Sequence, residues 1–289
     1  MSSMVCRQSQ IFEAVRELLD MLRADRNSLH VLAAISGGMD SMVLLQVLAE
    51  LLKGGRLTCT VAHVNHRLRS ESGSDEELVR AAAETQSMRF LCRQLEPRPP
   101  QTNLEAWARQ ERYRMLEEMR VECGAEIILT AHHRRDQAET VLMRTISGRL
   151  VTDAHSIAPY CPDRRLLRPL LNISHREIEA YAADKSVKFI QDASNSDLTR
   201  TRNYLRLSLM PQIRSELNPN LDEALSETAS RLSTDEDFFE DLAERTAASF
   251  GSIVDLSKLL VLHDALLWRV CRSVAVRTCG EEARSIGYR

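Results

Sequence analysis

The chain has 289 residues, of which 44% are apolar and 27% charged, and its formal net charge is −3. It is long enough for one large domain and a smaller one, and it lacks the run of about 18 apolar residues that a membrane span needs. A near-neutral balance does not single out a nucleic-acid binder. Seven scattered cysteines without a C-x-x-C pair indicate neither a zinc site nor a redox pair. Single thiols fit a reducing cytosol, so a cytoplasmic location is expected.

The first half of the chain alternates between predicted helices and strands. A helix in the first thirty residues leads into an apolar strand, and the pattern then repeats. The following elements are a helix over Ser41–Lys53, a strand over Leu57–Val64, a helix over Ser74–Gln86, a strand over Arg89–Gln94, a long helix between Asn103 and Gly124, a strand over Glu126–Ala131 and a helix over Arg135–Ile146. This alternation predicts an α/β fold, a parallel sheet with helices on both faces.

The second half is less regular. Residues 148–165 show no period and are predicted to form a loop or lid. Further predicted pieces are an apolar stretch over Leu166–Leu171, a helix over Ser174–Lys185, an extended piece over Val187–Gln191 and a helix over Asn203–Met210 that ends before Pro211. From Asn218 the chain is acidic, rich in Leu and Ala, and helical in period. We therefore predict a catalytic domain over 1–216 and a small all-helical domain over 217–289.

The segment Ser36-Gly37-Gly38-Met39-Asp40-Ser41 joins the first strand to the next helix. Glycines open backbone angles closed to other residues, so such a turn can cradle an anion at the positive end of a helix. Ser36 and Ser41 add hydroxyl groups, and Asp40 adds a carboxylate suited to Mg²⁺. The segment is neither a Walker loop nor a G-x-G-x-x-G turn. It resembles the PP-loop, S-G-G-x-D-S, of the ATP pyrophosphatase superfamily, whose members cleave ATP between the α and β phosphates.

Four further polar segments could meet at the carboxyl ends of the strands, where parallel sheets bind ligands. They are His63–Arg69, Asn103–Tyr113, Thr130–Thr140 and Asp192–Arg206. Arg109 and Arg112 lie one helical turn apart and suit a phosphate or carboxylate, while Asp136 and Glu139 suit Mg²⁺ or an ammonium group. Spacing alone leaves plainer accounts open: a polar loop, a salt bridge to Glu105, first-turn acids on a helix dipole, or a capped surface helix.

Together these segments resemble the tRNA(Ile)-lysidine synthetase family over about residues 30–211. The family motifs are H-V-N-H-x-L-R at His63–Arg69, N-L-E-x-x-A-R-x-x-R-Y at Asn103–Tyr113, A-H-H-x-x-D-Q-A-E-T at Ala131–Thr140, R-P-L-L at Arg168–Leu171 and D-x-S-N-x-D…R-N-x-x-R at Asp192–Arg206. The resemblance implies a Rossmann-like PP-loop ATPase fold. It also implies a ligase that uses ATP to adenylate the wobble cytidine of a CAU-anticodon isoleucine tRNA at its C2 oxygen. Free lysine then displaces AMP to form lysidine.

The resemblance also implies roles for single residues. The PP-loop residues Ser36, Gly37, Gly38, Met39, Asp40 and Ser41, with His63, would bind ATP, and Asp40 and Asp136 would hold Mg²⁺. Candidate catalytic residues are Asp40, Asp136, Glu139, Arg112 and His132, with Asp136 and Glu139 recognising lysine. Candidate substrate contacts are Arg109, Arg202 and Arg206. The expected partners are the tRNA anticodon loop and free L-lysine, with no membrane and a homodimer left open.

The chain departs from the family at two places. Arg135 stands where Asp or Asn is usual, which reverses a charge beside the predicted lysine site. The segment Gly148–His155 holds one glycine where the family carries G-x-G-L-x-G-L. Two alternatives therefore stay open: another PP-loop tRNA-modifying or small-molecule adenylating enzyme, or an inactive paralogue that binds nucleotide or RNA.

Overall fold

A computed structural model describes residues 2–23, 28–65, 72–95, 104–148, 157–191, 198–250 and 254–280. Its elements are α1 (Ser2–Arg23), β1 (Leu29–Ala34), α2 (Met39–Leu52), β2 (Leu57–Asn65), α3 (Ser72–Thr85), β3 (Arg89–Gln94), α4 (Leu104–Cys123), β4 (Ile127–Leu129), α5 (Arg134–Ile146), β5 (Tyr160–Cys161), a 3-10 turn (Pro162–Arg164), β6 (Leu166–Leu167), α6 (His175–Asp184), α7 (Thr201–Tyr204), a π-helical turn (Leu205–Leu209), α8 (Met210–Glu216), α9 (Leu221–Ser249), α10 (Leu256–Leu260) and α11 (Asp264–Cys279). None of the helices described is both long enough and apolar enough to span a bilayer.

The six strands form one sheet in the order β3-β2-β1-β4-β6-β5. Neighbouring strands are parallel except for β5 and β6, which pair antiparallel at the edge. Because parallel strands need crossover connections, helices lie between them and cover both faces. The predicted α/β fold is confirmed. The antiparallel edge pair was not predicted, since strands of two residues are too short to show a period of two.

Alternate residues of β1 enter two different cores. Val31 and Ala33 pack in a core shared with α1, α2, α3 and α6. Leu32 points to the opposite face, where it packs against Met115 and Met119 of α4. This alternation is the direct consequence of a strand whose side chains project to opposite faces, both of them covered. The central strand is therefore buried on both sides, and the loops at its ends are held on a rigid support.

Two local predictions concern the stretches over 187–191 and around Pro211. The extended piece predicted over Val187–Gln191 pairs with no strand of the described sheet, and Ile190 donates its N–H to the Gly37 carbonyl at 2.9 Å. The helix predicted to stop before Pro211 continues as α8, because the preceding turn is π-helical. Proline has no N–H to donate to the carbonyl four residues earlier. The π-helical turn is wider than an α-helical turn and does not need that hydrogen bond, so the helix continues past proline. Of the loop or lid predicted over 148–165, residues 149–156 lie outside the described residues, while the later part forms the short strand β5 and a 3-10 turn. Asn103 and residues 192–197 of the predicted polar segments also lie outside them.

The helical C-terminal part packs on the sheet-containing part through α9. Leu221 of α9 joins Ala138 of α5 and Met210 of α8 in a small buried cluster. Farther along, α9 and α11 form their own core around Ala243 and Val270. The start of α9 at Leu221 lies next to the predicted boundary, but the division into two domains stays a prediction.

Candidate functional site

The PP-loop segment is held by hydrogen bonds among its own residues. Ser41 Oγ donates to the Gly38 carbonyl at 2.8 Å and accepts the Ser36 N–H at 3.2 Å. Gly37 has a φ of +93°, and a Cβ there would lie 2.9 Å from Ile190 Cδ1, so only glycine fits. The two hydroxyls predicted to face phosphate thus also shape the turn. The loop is preorganised at the N-terminus of α2, whose dipole favours an anion.

Asp40 lies in the first turn of α2, and one of its carboxylate oxygens has only a long contact to a protein donor, 3.6 Å to Nε2 of His133. Its Oδ1 is buried without a hydrogen bond, although the side chain as a whole is 36% exposed. A buried anionic oxygen without a donor is costly unless a cation or ligand completes it. The residue therefore fits the oxygen ligand that Mg²⁺ prefers. Its neighbour Met39 packs against the core of the sheet, so any contact it makes with a nucleotide would come from its backbone.

His63 contacts the backbone just before the PP-loop. It lies near the end of β2, is buried, and its Nδ1 is 2.8 Å from the carbonyl oxygen of Ile35. Because a carbonyl only accepts, Nδ1 carries the hydrogen in this contact. The bond ties the second strand to the residue immediately before Ser36. Direct contact between His63 and ATP stays a prediction.

His133 caps α5 and faces both Asp40 and Asp136. Its Nδ1 accepts the Arg135 N–H at 3.2 Å, while Asp136 Oδ2 accepts the His133 N–H at 3.0 Å, which together form a capping box. A neutral imidazole whose Nδ1 accepts must carry its hydrogen on Nε2. Nε2 lies 3.6 Å from Asp40 Oδ1 and 3.6 Å from Asp136 Oδ2. The sequence comparison with family motifs singled out His132, and it missed this role of His133.

Asp40, His133 and His175 are the potential metal ligands that cluster among the described residues. Their ligand atoms lie within 4.8 Å of one another. The cap on α5 argues against a zinc-type site here, because Nε2 of His133 bears a hydrogen and has no free lone pair. The set is therefore a carboxylate ligand beside a hydrogen-bond donor, which suits a hard cation better than a soft one.

The two carboxylates of α5 are paired with two arginines. Arg202 donates to Asp136 Oδ1 at 2.9 Å and to Glu139 Oε2 at 2.8 Å. Arg206 donates to Glu139 Oε1 at 2.5 Å, to Glu139 Oε2 at 2.9 Å and to Asp136 Oδ1 at 3.1 Å. The side chain of Glu139 is fully buried. Two negative and two positive charges leave this cluster neutral, which the separate sequence segments did not indicate.

Burial and charge shift two pKa values at this site in the same direction. Burial alone would raise the pKa of Asp136, but the charges of His133 and Arg202 and the His133 N–H bond outweigh it and lower the pKa to about 2. Burial, with the nearby Arg168 and Arg112, lowers the pKa of His132 to about 3 against the opposing effect of Asp136. His132 is therefore neutral at physiological pH. Its Nδ1 lies 2.9 Å from Thr130 Oγ1.

A second group of arginines surrounds Tyr113 on α4. The guanidinium carbons of Arg109, Arg112 and Arg164 lie 5.2, 5.3 and 5.0 Å from the centre of the Tyr113 ring. Arg168 donates to the Ala158 carbonyl, and its charge is felt by Tyr113. The sequence placed Arg109 and Arg112 together, but nothing in spacing linked them to Arg164, which arrives from the turn between β5 and β6.

Arg135, the residue that departs from the family pattern, faces the C-terminal helices. Its Nε lies 3.9 Å from Asp222 Oδ2, and Arg214 holds Asp222 Oδ1 at 2.7 Å. No ion pair of the described residues joins Arg135 to Asp136 or Glu139. The unusual charge is thus directed towards α9 and away from the paired carboxylates.

Residues 9–213 match the model of a protein family described as the PP-loop domain. The chain belongs to this PP-loop family. Similar proteins include the tRNA(Ile)-lysidine synthase of Geobacter sulfurreducens, 36% identical over 219 residues, which are 74% of this chain and 46% of that protein. The tRNA(Ile)-lysidine synthase of Clostridioides difficile is 29% identical over 283 residues, which are 94% of this chain and 61% of that protein. The chain spans about half the length of the first curated relatives it matches.

The PP-loop fold is also seen in a solved structure. The U34-tRNA thiolase NcsA from Methanococcus maripaludis superposes with a TM-score of 0.67 at 17% identity, over 79% of this chain and 79% of that one. At this identity the likeness concerns the fold alone. Within the PP-loop chain, the predicted residues Asp40, Asp136, Glu139, Arg202 and Arg206 lie in one connected set of contacts through His133. Their roles towards ligands stay predictions.

Proposed function

We propose that the chain carries out ATP-dependent lysidine synthesis on an isoleucine tRNA with a CAU anticodon. The observation that carries the proposal is the connection from the PP-loop Asp40 through His133 to Asp136, and from Asp136 through Arg202 to Glu139. An anion-binding turn beside carboxylates that can bind an amine supports this activity. The names of the similar curated proteins support the same activity.

ATP would bind with its phosphates at the PP-loop, between Gly37 and Ser41 at the N-terminus of α2. Asp40 would hold Mg²⁺, because its buried Oδ1 makes no hydrogen bond and has only the 3.6 Å contact to His133 Nε2. The cation supplies charge neutralisation on the phosphates. Asp136 fits this task less well than Asp40, since Oδ1 accepts from both arginines and Oδ2 from the His133 N–H. Attack of the C2 oxygen of cytidine on the α-phosphate of ATP then releases pyrophosphate, and the adenylated oxygen is a good leaving group that departs as AMP when lysine attacks.

Lysine would be handled by Asp136 and Glu139. Its side-chain amine has a pKa of about 10.4 in water, so it arrives as an ammonium ion and has to lose a proton before attack. The carboxylates are already paired, so the ammonium has to replace a guanidinium contact. Asp136 Oδ1 accepts from both Arg202 and Arg206, and one of them can leave while the other stays. That exchange replaces one cation with another, so the carboxylate first binds and orients the ammonium group, and it takes the proton only as the amine attacks.

The tRNA would approach through Arg109 and Arg112, and the wobble base would leave the anticodon stack to reach the adenylate. We assign this chemistry to residues 1–216 and a supporting role to residues 217–289, in the cytoplasm where tRNA, ATP and lysine meet. A homodimer stays a prediction, which light scattering coupled to size-exclusion chromatography tests.

The decisive experiment combines the protein with ATP, labelled lysine and a CAU-anticodon isoleucine tRNA transcript. We expect ATP-dependent transfer of lysine to the RNA with release of AMP. Asp40→Asn should abolish transfer, while Asp264→Asn, which also removes a first-turn helix acid, should leave it unchanged. A transcript with a GAU anticodon should not be modified. AMP release without lysine transfer would show a different acceptor, and no AMP release would show a non-enzyme.

A further inference from the structure

We propose that Arg109, Arg112, Arg164 and Arg168 form, around Tyr113, a binding site for a backbone phosphate of the RNA substrate. The inference rests on the proposed function and deepens it, because it names the surface that holds the RNA. Tyr113, Arg164 and Arg168 are the residues it adds.

The geometry gathers positive charge around one aromatic ring. Three guanidinium carbons lie between 5.0 and 5.3 Å from the Tyr113 ring centre, two from α4 and one from the turn between β5 and β6. Contact with a ring face stabilises each cation but does not neutralise it. Like charges gathered around one ring repel one another unless an anion is shared between them. These arginines, together with Arg168, are here called the arginine cage of Tyr113. The cage surrounds the ring, but its positive charges still need an anion to balance them.

No carboxylate balances this cage within the described part of the chain. None of the four arginines takes part in an ion pair between described residues. Arg114 of the same helix gives the contrast, since it pairs with both Glu111 and Glu118. Helix α4 thus carries paired arginines on one side and unpaired arginines on the other. The unpaired side is the one that a polyanion would neutralise.

The same positive charges shift the pKa of Tyr113. Burial would raise the pKa of its hydroxyl, yet the charges of Arg109, Arg112 and Arg168 lower it below the ordinary value. A phenol is stabilised as an anion only where cations outweigh desolvation. Burial and the neighbouring Arg109 and Arg202 lower the pKa of Arg112.

Two buried polar atoms of this group, the Tyr113 hydroxyl oxygen and Arg168 Nε, make no hydrogen bond of good geometry, although the hydroxyl lies within reach of the guanidinium groups of Arg112 and Arg168. Buried donors without acceptors are uncommon because each costs free energy. A phosphate offers several strong acceptor oxygens and matches the planar fork of a guanidinium. One phosphate could accept from Arg168 and Tyr113 while the remaining arginines surround its charge.

A phosphodiester of RNA fits this site better than the triphosphate of ATP. The PP-loop already provides the turn and helix dipole for the triphosphate, whereas Arg109 and Arg164 are exposed at the surface. Exposed arginines beside a buried one suit a long polyanion that passes over the surface. The charges of Arg109, Arg112 and Arg168 also lower the pKa of His132, the residue before the cap of α5. RNA held there could deliver its base to the adenylate.

The test measures binding of a CAU anticodon stem–loop RNA and of a fluorescent ATP analogue as a function of salt. The variants are Arg109→Gln and Arg164→Gln. Matched controls are Arg114→Gln on the same helix, which is paired, and Arg165→Gln next to Arg164. We expect each cage variant to weaken RNA binding about 5- to 10-fold and to reduce the slope of log K against log salt by about 1. ATP-analogue binding, and RNA binding by the controls, should not change.

The outcomes separate this site from the proposed function. RNA affinity that is the same in the cage variants and the wild type overturns the site, whether or not lysine is transferred. Loss of ATP-analogue affinity in place of RNA affinity also overturns it. If the wild type binds RNA through the cage but transfers no lysine to tRNA, the site stands and the proposed function fails. A wild type that binds no RNA overturns both.

Discussion

The two arginine clusters of this protein differ in how their charge is balanced. Arg202 and Arg206 meet Asp136 and Glu139 in a neutral, closely bonded group. The arginines around Tyr113 meet an aromatic ring and no carboxylate of the described residues. In the first cluster, here called the matched cluster, the arginines are balanced by carboxylates of the protein and hold the site together. In the second, the unmatched cluster, they have no such partner among the described residues and can bind an anionic ligand.

The largest effect is expected from Glu139→Gln. Glu139 is fully buried and accepts hydrogen bonds from both Arg202 and Arg206. Its neutralisation leaves two guanidiniums with one carboxylate, so the free energy of unfolding should fall by about 3 kcal/mol. Urea denaturation at pH 7 measures this. Asp241→Asn, which breaks the exposed pair with Arg245, should change it by less than about 0.5 kcal/mol. A decrease of less than about 1 kcal/mol in the free energy of unfolding of Glu139→Gln would mean that the matched cluster contributes little to stability.

Acid should weaken the matched cluster next. The pKa of Asp136 is about 2 in the folded protein, below the value of about 3.9 in an unfolded chain. Its contribution to stability is therefore complete above about pH 4 and is lost as the pH falls towards 2, a change of about 2 kcal/mol. Urea denaturation from pH 6 to pH 3 in EDTA should show a shallower decline for Asp136→Asn than for the wild type. Parallel declines would contradict the low pKa.

His133 connects the matched cluster to the PP-loop, and its cap can be isolated with two variants. His133→Asn and His133→Ala both remove the ring, but only asparagine keeps a side-chain acceptor for the free N–H groups of α5. The alanine variant should therefore be less stable than the asparagine variant by about 1 kcal/mol. Thermal unfolding followed by circular dichroism compares the two. Equal melting temperatures would show that the cap is not what His133 contributes.

The smallest effect is expected in the unmatched cluster. Arg109→Gln removes one of several mutually repelling cations, so the unfolding free energy at low salt should stay within about 0.5 kcal/mol of the wild type or rise slightly. Arg202→Gln, which breaks bonds to two carboxylates, is the matched comparison and should lower it by more than about 1 kcal/mol. Urea denaturation in about 20 mM salt, where the Debye length is about 20 Å, suits this measurement. A clear loss in Arg109→Gln would reveal a counter-ion for the cage.

The sequence could predict what depends on neighbouring residues. The alternating apolar periods were enough for the α/β fold, and the run from Ser36 to Ser41 was enough for the PP-loop. Glycine at position 37 is required by a positive φ and a close approach of Ile190, and only the first of these could be anticipated locally. Pro211 shows the limit of local rules, because a π-helical turn lets the helix continue past it.

Contacts between distant segments were decided only by the tertiary structure. Arg202 and Arg206 were predicted to contact substrate, but in the folded chain they neutralise Asp136 and Glu139. Arg135 looked like a disturbance of the lysine site and instead faces Asp222 of α9. The period of a helix tells which residues share a face, and it does not tell which element will face them. By itself the sequence determined the fold class, the phosphate loop and the residue types of the site; the balance of its charges followed only from the folded arrangement.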